Sequence, residues 1–388
     1  MILKIYINGK LCAFLSRLAT LFLCLLLLLP LFCFRARADV PKGISARSCI
    51  LIEASTGRIL YEKDAHSKMP MASTTKIMTG LLAIESGKLD DIISVSKGAV
   101  SVEGSSVYLT ENEKISIKEL VYALMLESAN DAAAALAISL CGSVESFAGK
   151  MNQKAAELGL SDTSFANPHG LDNENHYTTA YDLARLSAYA LENEQFREIV
   201  STHKKVLSDE NGSKKRYLTN HNRLLRSYDG IIGVKTGFTK KSGRCLVSAA
   251  ERDGVRLVCV TLNAPDDWND HKMLLDYGFS KLECVIDLKA GEYSDFASVT
   301  GGEYDLVSCE NGQSVRVVLE KDHGKITRTV ELRRFYFAPV KDGDVIGRLV
   351  WYCDGSVIAS TDIVATSNVN AAKGKPTLFE RIKKIMGF

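Results

Sequence analysis

Ser73-Thr74-Thr75-Lys76-Ile77-Met78-Thr79-Gly80-Leu81-Leu82-Ala83-Ile84 is the stretch from which the rest of the chain can be read. Ile77, Leu81, Leu82 and Ile84 follow one helical period, so Ser73 falls in the first turn of a helix and Lys76, three residues on, shares its face. A serine hydroxyl is a weak nucleophile at neutral pH. A neighbouring lysine activates it only where burial or a second cation lowers the amine's pKa toward neutrality. The helix N-terminus contributes as well, because its free backbone N–H groups favour developing negative charge. A Ser-x-x-Lys tetrad on its own is also an ordinary helix cap, and Ser73 is placed to serve as both.

Two further signatures follow in order. Ser128-Ala129-Asn130 sits between two predicted helices, where a loop projects Ser128 toward a leaving group and the Asn130 amide toward substrate. Taken singly it reads as a turn capped by Asp131. Lys235-Thr236-Gly237 ends a predicted strand. Gly237 lets a substrate or side chain approach the backbone closely, and Lys235 with Thr236 offers a charge and a hydroxyl to a carboxylate. Lys235 is also the second cation that Lys76 needs. An activated serine, a proton relay and an anion cradle are the parts of an acyl-transfer site.

Around these motifs the pattern alternates between sheet and helix. Residues 48–53 and 58–62 read as two strands joined by the turn Ala54-Ser55-Thr56-Gly57, and residues 73–220 read as helical. Three strands are expected at 230–238, 245–252 and 255–263, the last two joined through Asp253-Gly254. Strands at both ends with helices between them predict an α/β domain, one mostly antiparallel sheet with helical layers. After Tyr277-Gly278-Phe279 short alternating strands at 314–319, 326–332, 345–352 and 356–359 predict a small all-β domain. A polar linker at 366–375 ends at Pro376. Beyond it Leu378, Phe379, Ile382, Ile385 and Met386 share one helical face, opposite Glu380, Arg381, Lys383 and Lys384. That terminal amphipathic helix reads as a membrane-surface anchor, the alternative being a helix docked on the β domain.

The first 38 residues read as an export signal. Lys4, Lys10 and Arg17 precede an apolar run at 18–29, and Ala36-Arg37-Ala38 is a small-x-small cleavage site, so the processed chain is expected to begin near Asp39. The alternative is an uncleaved signal anchor. The expected division is therefore 1–38 signal, 39–281 catalytic domain, 282–365 β-rich domain and 366–388 linker and anchoring helix. Removing the signal takes five basic residues and no acidic one, leaving a net charge near −3 that gives no reason to expect nucleic acid as a partner. The seven remaining cysteines show no CxxC, and Cys309 and Cys353 read as small buried hydrophobes rather than a disulfide. The seven histidines include no HExxH, so no metal and no other cofactor is expected. His169, in a Pro-His-Gly turn, reads as structural.

The ordered triple of motifs resembles that of the low-molecular-mass penicillin-binding proteins, specifically the serine-type D-alanyl-D-alanine carboxypeptidases, and the resemblance extends over nearly the whole processed chain. Residues 167–172, Asn-Pro-His-Gly-Leu-Asp, and residues 263–270 support it. The resemblance implies a penicillin-binding/β-lactamase-like domain followed by a small all-β domain. It implies an extracellular, membrane-associated enzyme acting on peptidoglycan stem peptides and acylated by β-lactams. It also makes Ser73 the nucleophile, Lys76 its general base and Ser128 the relay to the departing D-alanine. Asn130, Lys235, Thr236 and Gly237 would orient the peptide, and the backbone N–H groups of Ser73 and Phe238 would form the oxyanion hole.

Two departures touch the carboxylate pocket. Phe238 stands where some relatives carry histidine, and Asp266-Asp267-Trp268 stands where others carry an arginine. Arg223, Arg244 and His221 are the candidate helpers. Two other functions compete: a β-lactamase, for which Glu174 is the carboxylate in a plausible stretch, and a non-catalytic penicillin-binding sensor or wall-binding protein.

Overall fold

The structure, a computed structural model, describes residues 40–372 apart from 211 and 213. The expected export signal and terminal amphipathic helix lie outside the described residues.

Strands β1 (Ser48–Glu53) and β2 (Ile59–Lys63) pair as the opening hairpin. A 3-10 turn, Ala72–Thr75, then leads into helix α1 (Lys76–Glu85). Every α1 residue except Glu85 is buried, so this helix runs through the middle of the domain and not along its surface. The hairpin β3 (Ile92–Ser94) and β4 (Lys114–Ser116) brackets the short α2 (Lys97–Val100). Helices α3 (Ile117–Leu126), α4 (Asn130–Cys141), α5 (Val144–Glu157), α6 (Ala180–Ala190) and α7 (Glu194–Ser201) follow. Side-chain caps start four of them: Ser116, Ser143, Thr179 and Asn193 accept the N–H of Glu119, Ser146, Asp182 and Phe196.

Next come the hairpin β5 (Lys204–Ser208) and β6 (Lys215–Thr219), then β7 (Ile231–Thr239), β8 (Gly243–Arg252), β9 (Val255–Leu262) and α8 (Asp267–Lys281). The helical reading of 73–220 thus missed two hairpins. The strand residues Lys204, Lys205, Lys215 and Arg216 give no apolar alternation to detect. What holds this hairpin is distant: Arg216 forks onto the buried Glu113 at 2.6 and 2.8 Å and donates to the carbonyls of Val107 and Tyr108.

The main sheet is antiparallel with the order β2-β1-β9-β8-β7. Its strands alternate between two apolar faces. Ile50, Ile52, Val258 and Val260 pack into the core under the helical layer, while Cys49, Leu51, Leu257 and Cys259 join Leu274 and Leu275 of α8 on the other side. Burial on both faces explains why these strands read as continuous apolar runs. The order leaves β7 at the edge, and it is the strand that carries Lys235-Thr236-Gly237.

Strand β10 (Leu282–Leu288) begins where α8 ends, and β11 (Ser294–Thr300), β12 (Leu306–Asn311), β13 (Val315–Glu320), β14 (Ile326–Leu332), β15 (Tyr336–Phe337), β16 (Val345–Cys353) and β17 (Ser356–Ala365) complete the β-rich part. Six of them form a sheet in the order β14-β16-β17-β12-β11-β15, and β10 pairs with β13. Leu349, Trp351, Ile363, Val307 and Cys309 fill its core. The sequence reading lacked β10, β11, β12 and β15; β11, for example, buries only Ala297 and Val299, too few for an alternating signal. Leu282 and Val318 share a core with Val255 and Leu275, and Arg316 joins Asp287 to Glu251 at 3.1 Å on each side. The seven described cysteines, Cys309 and Cys353 among them, are free thiols.

Candidate active site

Three segments converge on Ser73: the 3-10 turn that carries it, the junction between α3 and α4, and the edge strand β7. Ala72, the preceding residue, holds φ at 47°, a left-handed conformation that an alanine adopts only when its surroundings impose it. Those surroundings press from two sides. Gly170 has φ +89°, and a Cβ there would stand 2.0 Å from the Ala72 carbonyl oxygen. On the other side a Cβ on Gly237 would lie 3.0 Å from the Ser73 nitrogen and 3.2 Å from the Ala72 Cβ. The turn is clamped between the 167–171 loop and β7; Gly170 leaves no room for a side chain, and Gly237 leaves room for a methyl only if the turn shifts by a few tenths of an ångström.

Polar contacts fix the same turn from beneath. The His176 Nδ1 accepts the Ala166 N–H at 3.0 Å, so the ring proton sits on Nε2 and is donated to Thr75 Oγ1 at 2.7 Å. Thr75 Oγ1 in turn donates to the Ala72 carbonyl at 2.7 Å. Burial, with a smaller contribution from Lys76, lowers the His176 pKa to about 4 and keeps the ring neutral for this chain of bonds. His176 was absent from the sequence reading, and no motif signals it: it acts through a fold-dependent contact with Thr75.

Lys76 is wholly buried. Its Nζ lies 2.9 Å from Ser73 Oγ, 2.8 Å from Asn130 Oδ1 and 2.5 Å from the His169 carbonyl oxygen. The Asn130 amide is oriented by its other end, since Nδ2 donates to the Glu103 carbonyl at 2.6 Å and only oxygen remains to face Lys76. Burial first, then repulsion from the Lys235 ammonium, drives the Lys76 pKa well below its ordinary value, with Asp131 opposing. A neutral amine has two protons and one lone pair. The two carbonyl acceptors take the protons, which leaves the lone pair aimed at the Ser73 hydroxyl. As an ammonium the same nitrogen satisfies all three acceptors, so both states of a proton acceptor are accommodated without rearrangement.

Ser128 lies between the end of α3 and the start of α4, buried, with φ at 61°. Asp131 does not cap α4, whose cap residue is Ala129. Its carboxylate instead accepts from Ser106 Oγ at 2.6 Å and from the N–H groups of Leu109 and Val107, mooring the loop that flanks the site.

Lys235 is buried on β7, donates to the Thr236 carbonyl at 3.0 Å, and has its pKa pulled down to about 7 by burial against the opposing charge of Glu127. Phe238 is two-thirds exposed at the end of the same strand. Thr239 Oγ1 donates to Asp172 at 2.9 Å, closing the strand tip onto the 167–172 loop. The candidate helpers are engaged elsewhere: Arg244 with Asp267 at 2.7 Å and His221 with Glu127 at 3.1 Å, while Arg223 is exposed in a separate 3-10 turn. His169 contributes through its backbone carbonyl to Lys76, and its half-buried ring, whose pKa desolvation and the nearby Lys76 lower to about 3, accepts the Leu171 N–H. Glu174, the carboxylate a β-lactamase reading would use, is exposed to solvent. Among the described residues no three His, Cys, Asp or Glu side chains are grouped to hold a metal ion.

Comparison with known proteins agrees with this arrangement. Residues 35–266 match the D-alanyl-D-alanine carboxypeptidase family model, and residues 288–371 match the C-terminal domain of penicillin-binding protein 5. The chain is 34% identical over 337 residues to the D-alanyl-D-alanine carboxypeptidase DacF of Bacillus subtilis, covering 84% of this chain and 86% of that one. It is 32% identical to DacC of Escherichia coli, covering 84% and 85%. Solved structures of penicillin-binding protein 5 from Haemophilus influenzae (28% identity, TM-score 0.63, 86% and 99% covered) and of PBP3 from Streptococcus pneumoniae (26%, 0.66, 84% and 100%) share the fold. With a clamped serine, a buried amine facing it and a matching family model over most of its catalytic half, the chain belongs to the D-alanyl-D-alanine carboxypeptidase family, among the low-molecular-mass penicillin-binding proteins.

Proposed function

We propose that Ser73 is the acylated nucleophile of a serine-type D-alanyl-D-alanine carboxypeptidase that trims peptidoglycan stem peptides. The observation that carries this assignment is the Lys76 nitrogen, buried and 2.9 Å from Ser73 Oγ, with two carbonyl oxygens taking its protons. Ser73 Oγ bonds to the carbonyl carbon of the penultimate D-alanine while its proton passes to Lys76 Nζ. The backbone N–H groups of Ser73 and Phe238 face the oxyanion. The carbon–nitrogen bond to the terminal D-alanine then breaks, and the leaving amine takes the proton back from Lys76 through the Ser128 hydroxyl. Water hydrolyses the ester and regenerates Ser73. Asn130 orients the peptide, Gly237 gives it room against β7, and Lys235 with Thr236 holds the terminal carboxylate, since Arg244 is occupied by Asp267.

β-Lactams present the same acyl group in a ring and acylate the same serine. Slow hydrolysis of that ester is the expected outcome, because Glu174 is exposed and the contacts of Lys76 are to Ser73, Asn130 and the His169 carbonyl, with no carboxylate among them. The proposed organisation is an export signal at 1–38, a peptidase domain at 39–281, a β domain from 282, and then a membrane-binding amphipathic helix; the expected β-domain end at 365 is too early, because Val369 is buried in its core and bridges Val340, so the linker begins after residue 371. The enzyme then works on the outer face of the cytoplasmic membrane, where its substrate is made into wall. In the decisive assay the purified protein frees D-alanine from a pentapeptide ending in D-Ala-D-Ala and forms a long-lived penicilloyl adduct. Ser73→Ala lowers release by about ten-thousandfold or more. Turnover retained in that variant sinks the assignment, and rapid penicillin hydrolysis by the parent protein points to a β-lactamase instead.

A further inference from the structure

The β-rich part carries a feature that the peptidase chemistry does not use. Phe335 and Phe337 are 48% and 72% exposed, and their rings meet edge to face at 5.3 Å, so two large apolar groups contact each other in solvent. Arg333 and Arg334 precede them, both exposed and with no ion pair among the described residues. Pro339 and Val345 extend the apolar surface along the same cleft, Val345 being 63% exposed. The presentation is built into the fold. Tyr336, between the two phenylalanines, turns inward: its hydroxyl donates to the Ile346 carbonyl and accepts the Arg333 N–H at 3.0 Å. Strand alternation then sends Phe335 and Phe337 outward together. Of the neighbouring carboxylates, Asp344 accepts the Lys341 N–H at 2.8 Å and Asp362 pairs with Arg348 at 3.5 Å, while exposed Glu331 lines the cleft beside Arg333, so the two arginines outnumber the one carboxylate left at the tip.

We propose that this tip, residues 333–337, is a second membrane-contacting element whose partner is an anionic lipid surface. Paired arginines beside aromatic rings match the lipid interface, where the rings enter the headgroup boundary and the cations meet acidic headgroups. Position supports the same partner. The tip strand β15 pairs with β11 through Thr300 and Phe337, and the next residue of β11's turn, Gly301, accepts the Ala372 N–H at 2.9 Å. The described chain therefore ends beside the tip, and from there the sequence runs into Leu378, Phe379, Arg381, Ile382, Lys383 and Lys384. This inference rests on the reading of that terminal segment as membrane-binding: two elements of the same chemistry, leaving from one end of the domain, would meet one surface. Two-point attachment would limit the swing of the peptidase domain about its linker.

The test uses the processed chain from Asp39 and vesicles of phosphatidylcholine with or without phosphatidylglycerol. Phe335→Ser/Phe337→Ser is expected to weaken partitioning into anionic vesicles about tenfold while leaving D-alanine release unchanged. Arg333→Glu/Arg334→Glu is expected to do the same in anionic vesicles only. In Phe335→Trp, emission should shift to the blue on adding anionic vesicles, after subtraction of the parent protein, which contains Trp268 and Trp351. Unchanged partitioning of Phe335→Ser/Phe337→Ser overturns the proposal. So does a blue emission that exists without vesicles, whether it is lost in Ile382→Asp/Ile385→Asp, which would mean the chain's own tail covers the pair, or rises with protein concentration, which would mean a second copy does. Ile382→Asp/Ile385→Asp separates the two readings. If it binds as the parent does while the tip variants fail, the anchor assignment falls and the tip stands; if it fails while the tip variants bind as the parent does, the tip falls and the anchor stands.

Discussion

Residues 40–281 bury Lys76, Lys235, Asn130, Asp131, Asp182 and His176, whereas among the described residues of 282–372 the buried polar side chains are Asn311 and Thr361. Asn311 serves a turn, donating to the carbonyls of Lys289 and Gln313 at 2.8 Å each. The same solvent was removed from both parts, yet one kept two amines inside and the other kept none. Burying an amine costs stability unless it is paired, and neither Lys76 nor Lys235 touches a carboxylate. Such groups persist where their perturbed protonation is useful, so the contrast marks the peptidase part as the one whose stability is constrained by chemistry.

The largest effect follows from removing the amine that faces Ser73. Lys76→Met keeps the volume and deletes the proposed base, so D-alanine release should fall about a thousandfold or more. Relief from burying an amine with no carboxylate beside it is offset by about 1–3 kcal/mol for the Asn130 and His169 oxygens that lose their donor, so the melting temperature should stay within a few degrees of the parent's. A fall of about ten degrees or more would break the comparison. The pH dependence sharpens it. In its proposed role Lys76 must be neutral to accept the serine proton, so acylation should rise with pH through its lowered pKa; Lys235 in its proposed role must be charged to hold a carboxylate, so binding should weaken above about pH 7. Stability runs the other way. With Lys235 at about 7 in the fold and 10.5 ordinarily, the unfolded chain binds the extra proton across that window, so stability rises from about pH 7 toward 10.5. At the acid end His176, at about 4 against 6.5, stays neutral in the fold while the unfolded chain protonates, so its contribution is lost as pH falls from 6.5 toward 4. Urea midpoints at several pH values test both slopes, and a flat profile above pH 7 would contradict the burial of Lys235.

How much of this is legible without the structure differs by kind of interaction. Ser73, Lys76, Ser128, Asn130 and Lys235 announce themselves because each motif keeps its chemistry within a few residues. The sheet announces itself as continuous apolar runs bounded by turn signals, because both of its faces are buried, and α1 as an apolar stretch that starts at the Ser73–Lys76 tetrad and is buried all round. His176, Gly170 and Asp131 do not. Their roles toward Thr75, Ala72 and the 106–109 loop are contacts between segments 22 or more residues apart, and no local pattern records them. The β5–β6 hairpin escapes for the same reason, since its strands are polar and Arg216 is held by Glu113, 103 residues away. The pairing of Arg244 with Asp267 likewise appears only in three dimensions, although both residues stand out in the sequence as neighbours of the carboxylate pocket.

Gly170→Ala probes the clamp itself and should have an intermediate effect. The added methyl would meet the Ala72 carbonyl at 2.0 Å, from a residue whose φ of +89° already disfavours any side chain. The loop must retreat, and the His169 carbonyl that holds Lys76 retreats with it. Acylation by penicillin should slow about a hundredfold, as expected when a catalytic group is displaced by about an ångström. Stability should fall by about 1–3 kcal/mol. A variant that loses stability but acylates at the parent rate would show that the loop supports the fold without positioning the base.

The smallest effect on catalysis is expected from the largest cut in the β-rich core. Trp351 on β16 is buried with Leu349 and Ile363, and Trp351→Ala removes enough apolar surface to cost about 3–5 kcal/mol locally. If the two parts differ as their buried groups suggest, that loss stays where it is made, because Ser73 is held by Gly170, Gly237 and Thr75 and by nothing beyond residue 281. D-Alanine release from a soluble pentapeptide at a temperature below the first unfolding transition should remain within about twofold of the parent, since sites that share no partners perturb one another little. Calorimetry should place the lost stability in an early transition that leaves penicillin acylation intact. A parallel loss of acylation would mean that the shared core of Leu282, Val318 and Val255, with the Arg316 bridge to Glu251, transmits strain from one part to the other. The two regions would then be one cooperative unit in which the β-rich core stabilises the active site directly.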